Sequence, residues 1–246
     1  MTGVAGRSHG HLAVLLRPAR GAYGQLLLLI VLLVVGSSVT GVRDVGALIG
    51  LFGLYVGFTT FRVADAPRRL RHAGYAAGLV ALALAVAASA SGSDDMRGVS
   101  GLVTGTFTLL LILATLRDLA NVSEVTVTTL AGLVAVYLLV GLMFGQLYGG
   151  IDHIDAGAFR TDDPPIAGFD LIYFSYITIA TVGFGDITPA IDLTRALAVL
   201  EGVGGQLFLV TVVARVVSNM AWRRRREAGG DEGPGPSPLA DERSDG

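Results

Sequence analysis

The stretch Thr178-Ile179-Ala180-Thr181-Val182-Gly183-Phe184-Gly185-Asp186, followed by Ile187-Thr188-Pro189, decides how the rest of the chain is read. Two glycines flank an aromatic, so the backbone is free to alternate between ordinary and left-handed dihedrals. With that alternation, successive carbonyls point the same way. Four such strands around one axis stack rings of oxygens from Thr181, Val182, Gly183 and Phe184, joined by the Thr181 hydroxyl. Rings of bare oxygens replace the water shell of a dehydrated cation.

The surroundings suit a membrane. Of the 246 residues, 52% are hydrophobic and 15% charged, with a mean hydropathy of +0.63. A soluble domain of this length carries more charge. The net charge of −2 says little, because the positions of charges matter more than their sum in such proteins. No cysteine is present, which excludes disulfide and thiol chemistry. No metal-ligand or catalytic constellation stands out and the four histidines are scattered, so neither an enzyme nor a resident cofactor is expected. No nucleic-acid partner is expected either.

Six apolar spans of about the ~20 residues a crossing helix needs are expected at 22–42, 45–61, 74–91, 99–116, 126–148 and 191–219. Arginines cluster at 7–20, at 62–71 and at 223–226, while the other connecting loops are poor in arginine or acidic. With six spans, every arginine-rich segment falls on the cytoplasmic side, and so do both termini. The first span has the flanks of a signal peptide, but its cleavage would remove the first anchor of this topology; it is read as an uncleaved helix. Span 2 carries Gly46, Gly50, Gly53 and Gly57 on one face, and span 4 carries Gly101 and Gly105, a pattern of tight helix packing. The tail 229–246 lacks apolar content and is expected to be disordered.

The T-V-G-F-G-D run of residues 181–186 resembles the selectivity filter of the potassium-channel family, usually written T-V-G-Y-G or T-V-G-F-G with a following Asp. The resemblance is specific over about residues 126–220 and architectural over 1–125. It implies an all-α membrane protein with a re-entrant pore helix and filter between spans 5 and 6, K⁺ being the permeant ion at Thr181, Val182, Gly183 and Phe184. Since the chain has one such segment, it implies a homotetramer in the plasma membrane. The domains expected are an N-terminal arm (1–21), a peripheral bundle of four helices (22–116), a pore domain (117–222) and a basic, then disordered tail (223–246).

Other residues take roles from the same comparison. Asp170 opens the pore helix, where its carboxylate is expected to cap free N–H groups. Tyr173, Phe174 and Tyr176 are expected behind the filter, with the Tyr173 hydroxyl on Asp186. Thr178 is expected to support the filter, and the helix ends near Ala180, aiming its negative pole at the central cavity. Phe184 replaces the commoner Tyr and loses a hydroxyl. Ile177 stands where some relatives carry a Glu that pairs with the filter Asp, so that route to inactivation is expected to be absent. Gly205 aligns with a glycine often treated as a gating hinge; with Gly202 and Gly204 it suggests either bending or close packing. Glu201, mid-span, would cost ~3 kcal/mol facing lipid. Its carboxylate therefore either bonds behind the pore helix or lends charge to the permeation path.

Span 4 has no basic residue between Arg97 and Arg117, so the sensor charges of voltage-gated relatives are missing and weak voltage dependence is expected. Arg223, Arg224, Arg225 and Arg226 form either a site for anionic lipid or a topological anchor. Three competing readings remain: a weakly selective cation channel, a potassium transporter and a non-conducting regulatory subunit.

Overall fold

The computed structural model describes residues 19–40, 54–55, 68–120, 122, 126–162, 164–166 and 169–229. The N-terminal arm, span 2 with its glycines (apart from Leu54 and Tyr55) and the tail from 230 lie outside the described residues. In chain order the elements are α1 (Ala19–Thr40), α2 (Arg68–Ser91), α3 (Asp94–Ala120), α4 (Val127–Ile154), β1 (Phe159–Thr161), α5 (Asp170–Ile179), β2 (Ile187–Pro189) and α6 (Asp192–Gly229).

Among the described residues, α2, α3, α4 and α6 are long and apolar enough to cross a membrane, and α1 is apolar over Tyr23–Val35. This is a multi-pass membrane protein. The helices outrun the apolar spans because polar residues finish them. Asp94 and Asp95 occupy the first turn of α3 and Arg117 its last, each favourably placed in the field of the peptide dipoles. Thr126 caps α4: its side chain accepts from the Thr129 N–H while the Thr129 hydroxyl reaches back to the Thr126 N–H. On the C-terminal side α6 continues through Arg223–Arg226 to Gly229; the side chains of those arginines lie outside the described residues.

Helix α4 is the hub of the fold, packing against α1, α3 and α5, while α2 packs on α3. Its contacts with α3 are made through missing side chains. A Cβ on Gly101 would meet the Cα of Gly150 at 2.8 Å and the carbonyl of Gln146 at 2.9 Å, and one on Gly105 would meet Leu147 at 2.7 Å. Two helical backbones approach this closely only where neither presents a side chain. The glycines of span 4 are therefore contact points with α4, and α3 lies directly against it.

The loop after α4 returns as β1, which pairs antiparallel with β2 in the register Phe159↔Pro189, Arg160↔Thr188 and Thr161↔Ile187. The Ala190 N–H (2.9 Å) and the Thr194 hydroxyl (3.0 Å) both donate to the Ala158 carbonyl. This staple fixes the chain on both sides of α5 and the 181–186 segment. Two compact units divide the chain, one running to Phe208 and one from Leu209, the latter being the remainder of α6 and the tail.

Candidate functional site

Helix α5 is short, and its seat explains its position. On α4, the residues Tyr137, Gly141, Phe144, Gly145 and Tyr148 follow one another at offsets of 4, 3, 1 and 3, one face of a helix. A Cβ on Gly141 would strike the Tyr176 ring at 2.6 Å, and one on Gly145 would strike the Cα of Ile172 at 2.7 Å. The two glycines are notches into which α5 drops. Around them, Phe174 joins Tyr148 and Phe159 in an edge-to-face trio with all centroids 5.3 Å apart. The Tyr176 hydroxyl donates to the Leu138 carbonyl at 2.9 Å. The Tyr137 hydroxyl donates to the Ile179 carbonyl at 3.0 Å, with its ring stacked on Phe208 at 6.2 Å.

The segment after α5 is set by three backbone hydrogen bonds. Thr181 N–H donates to the Thr178 carbonyl (2.9 Å), and Val182 N–H (2.8 Å) and Gly183 N–H (3.2 Å) both donate to the Ile177 carbonyl. In a trans peptide the C=O is antiparallel to the N–H of the next residue. The carbonyls of Ala180, Thr181 and Val182 therefore point away from α5. Positive φ recurs at every second residue, 58° at Thr181, 54° at Gly183 and 82° at Gly185. Alternation of hand is what keeps successive carbonyls on one side. Glycine takes such values freely, whereas Thr181 pays the ~1–2 kcal/mol of a left-handed L-residue.

The predicted site residues fall as follows. Thr181, Val182, Gly183, Phe184, Gly185 and Asp186 form one exposed run on the single chain, with Phe184 70% exposed. The Tyr173 hydroxyl donates to the Asp186 carboxylate. Thr178 contributes its carbonyl to Thr181. Phe174 packs on Tyr148 of α4 and Phe159 of β1, and Tyr176 lies in the Gly141 notch of α4. Asp170 stands at the start of α5, one residue inside its cap. Phe169 is the N-cap of α5 and makes no side-chain capping bond, so Asp170 is the first helical residue. Its charge still sits in the first turn, where the dipole favours it.

Gly205 packs, since a Cβ there would run into the Ile179 side chain, whereas Gly202 and Gly204 have nothing within 4 Å. Glu201 is 1% exposed and lies behind α5. The Tyr148 hydroxyl donates to its Oε2 at 2.8 Å, and its Oε1 contacts the Ser175 hydroxyl, which also lies 2.6 Å from the Gly141 carbonyl. Sequence reasoning missed Ser175, Tyr148, Tyr137 and Gly141. The last three were marked by their common face on α4; Ser175 carries no signal of its own.

Residues 125–221 match the sequence family described as "Ion channel". Within the curated proteins, "Two-pore potassium channel 4" of Arabidopsis thaliana is 41% identical over 51 residues, 21% of this chain and 18% of that protein. The matched stretch thus spans less than a fifth of that relative's length. No solved structure matches the chain.

Proposed function

We propose that the chain is the pore-forming subunit of a potassium-selective channel that conducts K⁺ passively across the plasma membrane. Four copies join their 181–186 segments around one axis, with α4 and α6 central and the preceding helices outside. Six spans, both termini in the cytoplasm, complete each subunit. The observation that carries this reading is the alternation of hand at Thr181, Gly183 and Gly185, together with N–H groups turned back onto α5. That combination leaves a file of carbonyls free to coordinate a dehydrated cation. The similarity of part of the chain to an ion-channel family and to a protein named as a potassium channel supports the choice of ion.

Ion flux into liposomes holding the purified full chain tests the proposal. Potassium is expected to enter and sodium to be largely excluded. Gly183→Ala places a Cβ at φ 54°, which costs ~1–2 kcal/mol in that conformation and is expected to abolish selective flux without unfolding the chain. Sodium crossing as readily as potassium in the wild type would overturn the assignment. Unitary currents distinguish a channel from a slow, saturable transporter.

A further inference from the structure

We infer that Glu201 is a neutral carboxylic acid whose own proton closes a hydrogen-bond relay, Tyr148 to Glu201 to Ser175 to Gly141, fastening α6 to α5 and α4. Ser175 Oγ lies within bonding distance of two acceptors, Glu201 Oε1 and the Gly141 carbonyl, and a hydroxyl has one proton to give. If Glu201 were ionised, one of these two contacts would be a pair of oxygens with no hydrogen between them. With a proton on Oε1, Glu201 donates to Ser175, Ser175 donates to Gly141, and Tyr148 donates to Oε2. Every contact is then satisfied and every donor points the same way along the relay.

The surroundings agree. Glu201 is almost wholly enclosed, and a buried charge without a partner of opposite sign is costly. The groups facing it are neutral hydroxyls: Ser175 and Tyr176 from α5, Tyr137 and Tyr148 from α4. Tyr137 and Tyr176 give their protons to the carbonyls of Ile179 and Leu138, so they do not compete for the carboxyl. On its own helix, Arg195 pairs with Asp192 at 3.6 Å on the exposed side. Glu201 is thus a positioning residue. It holds the inner helix to the short helix whose last carbonyls organise residues 181–183, and it adds no charge to the permeation path.

Infrared spectroscopy of the full chain in lipid vesicles near neutral pH reads the proton directly, because only a protonated carboxyl gives an acid C=O band. The expected result is such a band in the wild type, shifted by carboxyl-labelled glutamate, lost in Glu201→Gln and displaced in Ser175→Ala. Absence of a glutamate-sensitive acid band in the wild type overturns the inference, as does a band that persists in Glu201→Gln. The labelled wild type decides the matter alone if a variant does not fold. Potassium flux adds a second arm, which rests on the channel reading. Gln keeps a donor and an acceptor, so Glu201→Gln is expected to hold flux within about twofold, while Glu201→Ala loses about tenfold or more through a broken buried bond. Equal loss in both variants overturns the relay. If the wild type passes no potassium, the channel reading fails and the spectrum still decides the relay.

Discussion

At the scale of single residues, polar groups inside the helix bundle have to be matched, and among the described residues one is not. Gln146 is buried on α4 with its Oε1 3.3 Å from the Thr108 hydroxyl. Its Nε2 has no hydrogen-bond partner among the described residues. The Thr108 hydroxyl also lies 2.9 Å from the Thr104 carbonyl, so it keeps an acceptor if the amide is removed. An orphaned buried donor costs about 1–3 kcal/mol, whereas an apolar group of similar shape costs little. Gln146→Leu is therefore expected to leave stability unchanged or raise it by about 1 kcal/mol, read as the midpoint of thermal unfolding in detergent. A clear loss would mean that the amide has a partner in the assembly. Glu201, in contrast, is fully matched, and mid-span polarity alone could not tell these two side chains apart. What separates them is the hydroxyls that face each one: those around Glu201 come from α4 and α5, and the one at Gln146 comes from α3.

At the scale of elements, glycine position decides which faces meet. Gly101 on α3 has the backbone of Gly150 and Gln146 where its Cβ would be, and backbone cannot swing aside as a side chain can. Gly101→Val is expected to force α3 off α4 and destabilise the protein by about 2 kcal/mol or more. Gly149 has nothing within 4 Å, so Gly149→Ala is expected to be neutral or stabilising by up to ~1 kcal/mol through helix propensity. Parallel melting curves of the two variants check the contrast; a similar loss in both would refute it. The same helix bears on gating. Between Arg97 and Arg117, α3 carries no charge, and each elementary charge moved across the membrane is worth ~2.3 kcal/mol per 100 mV. The conductance of the reconstituted chain is expected to vary little with voltage, and steep activation on depolarisation would sink that expectation. These elements were largely readable beforehand: the apolar runs mark α2, α3, α4 and α6, and the Gly101 and Gly105 spacing marks a contact. The seat of α5 was not read. It depends on Tyr137, Gly141, Gly145 and Tyr148 sharing one face of α4, and apolar-run counting treats those residues as span filler.

At the scale of the whole molecule, an apolar surface by itself says little about assembly. Val199, Leu200, Val203 and Leu207 of α6 are each more than half exposed, but lipid covers such side chains as well as protein does. Assembly is favoured instead by the 181–186 backbone. Non-helical backbone at membrane depth is tolerated only against protein or a water-filled cavity, and on a single chain the carbonyls of Ala180, Thr181 and Val182 have turned away from α5. In the proposed tetramer four copies would supply the cavity. They would also bring like dipoles together, so the ring of oxygens would be stable only with a cation inside it. The ion then acts as a ligand of the assembled state, and a ligand at a hundred times its dissociation constant adds ~2.7 kcal/mol per site. The purified chain is accordingly expected to run as a tetramer by native mass spectrometry, with a dissociation temperature that rises with K⁺ and not with equal concentrations of Na⁺. Gly183→Ala is expected to blunt that rise, because strain at 183 moves the oxygens out of register. A chain that stays monomeric at every K⁺ concentration, or a dissociation temperature equally responsive to sodium, would separate the local geometry of residues 181–186 from any role in binding potassium.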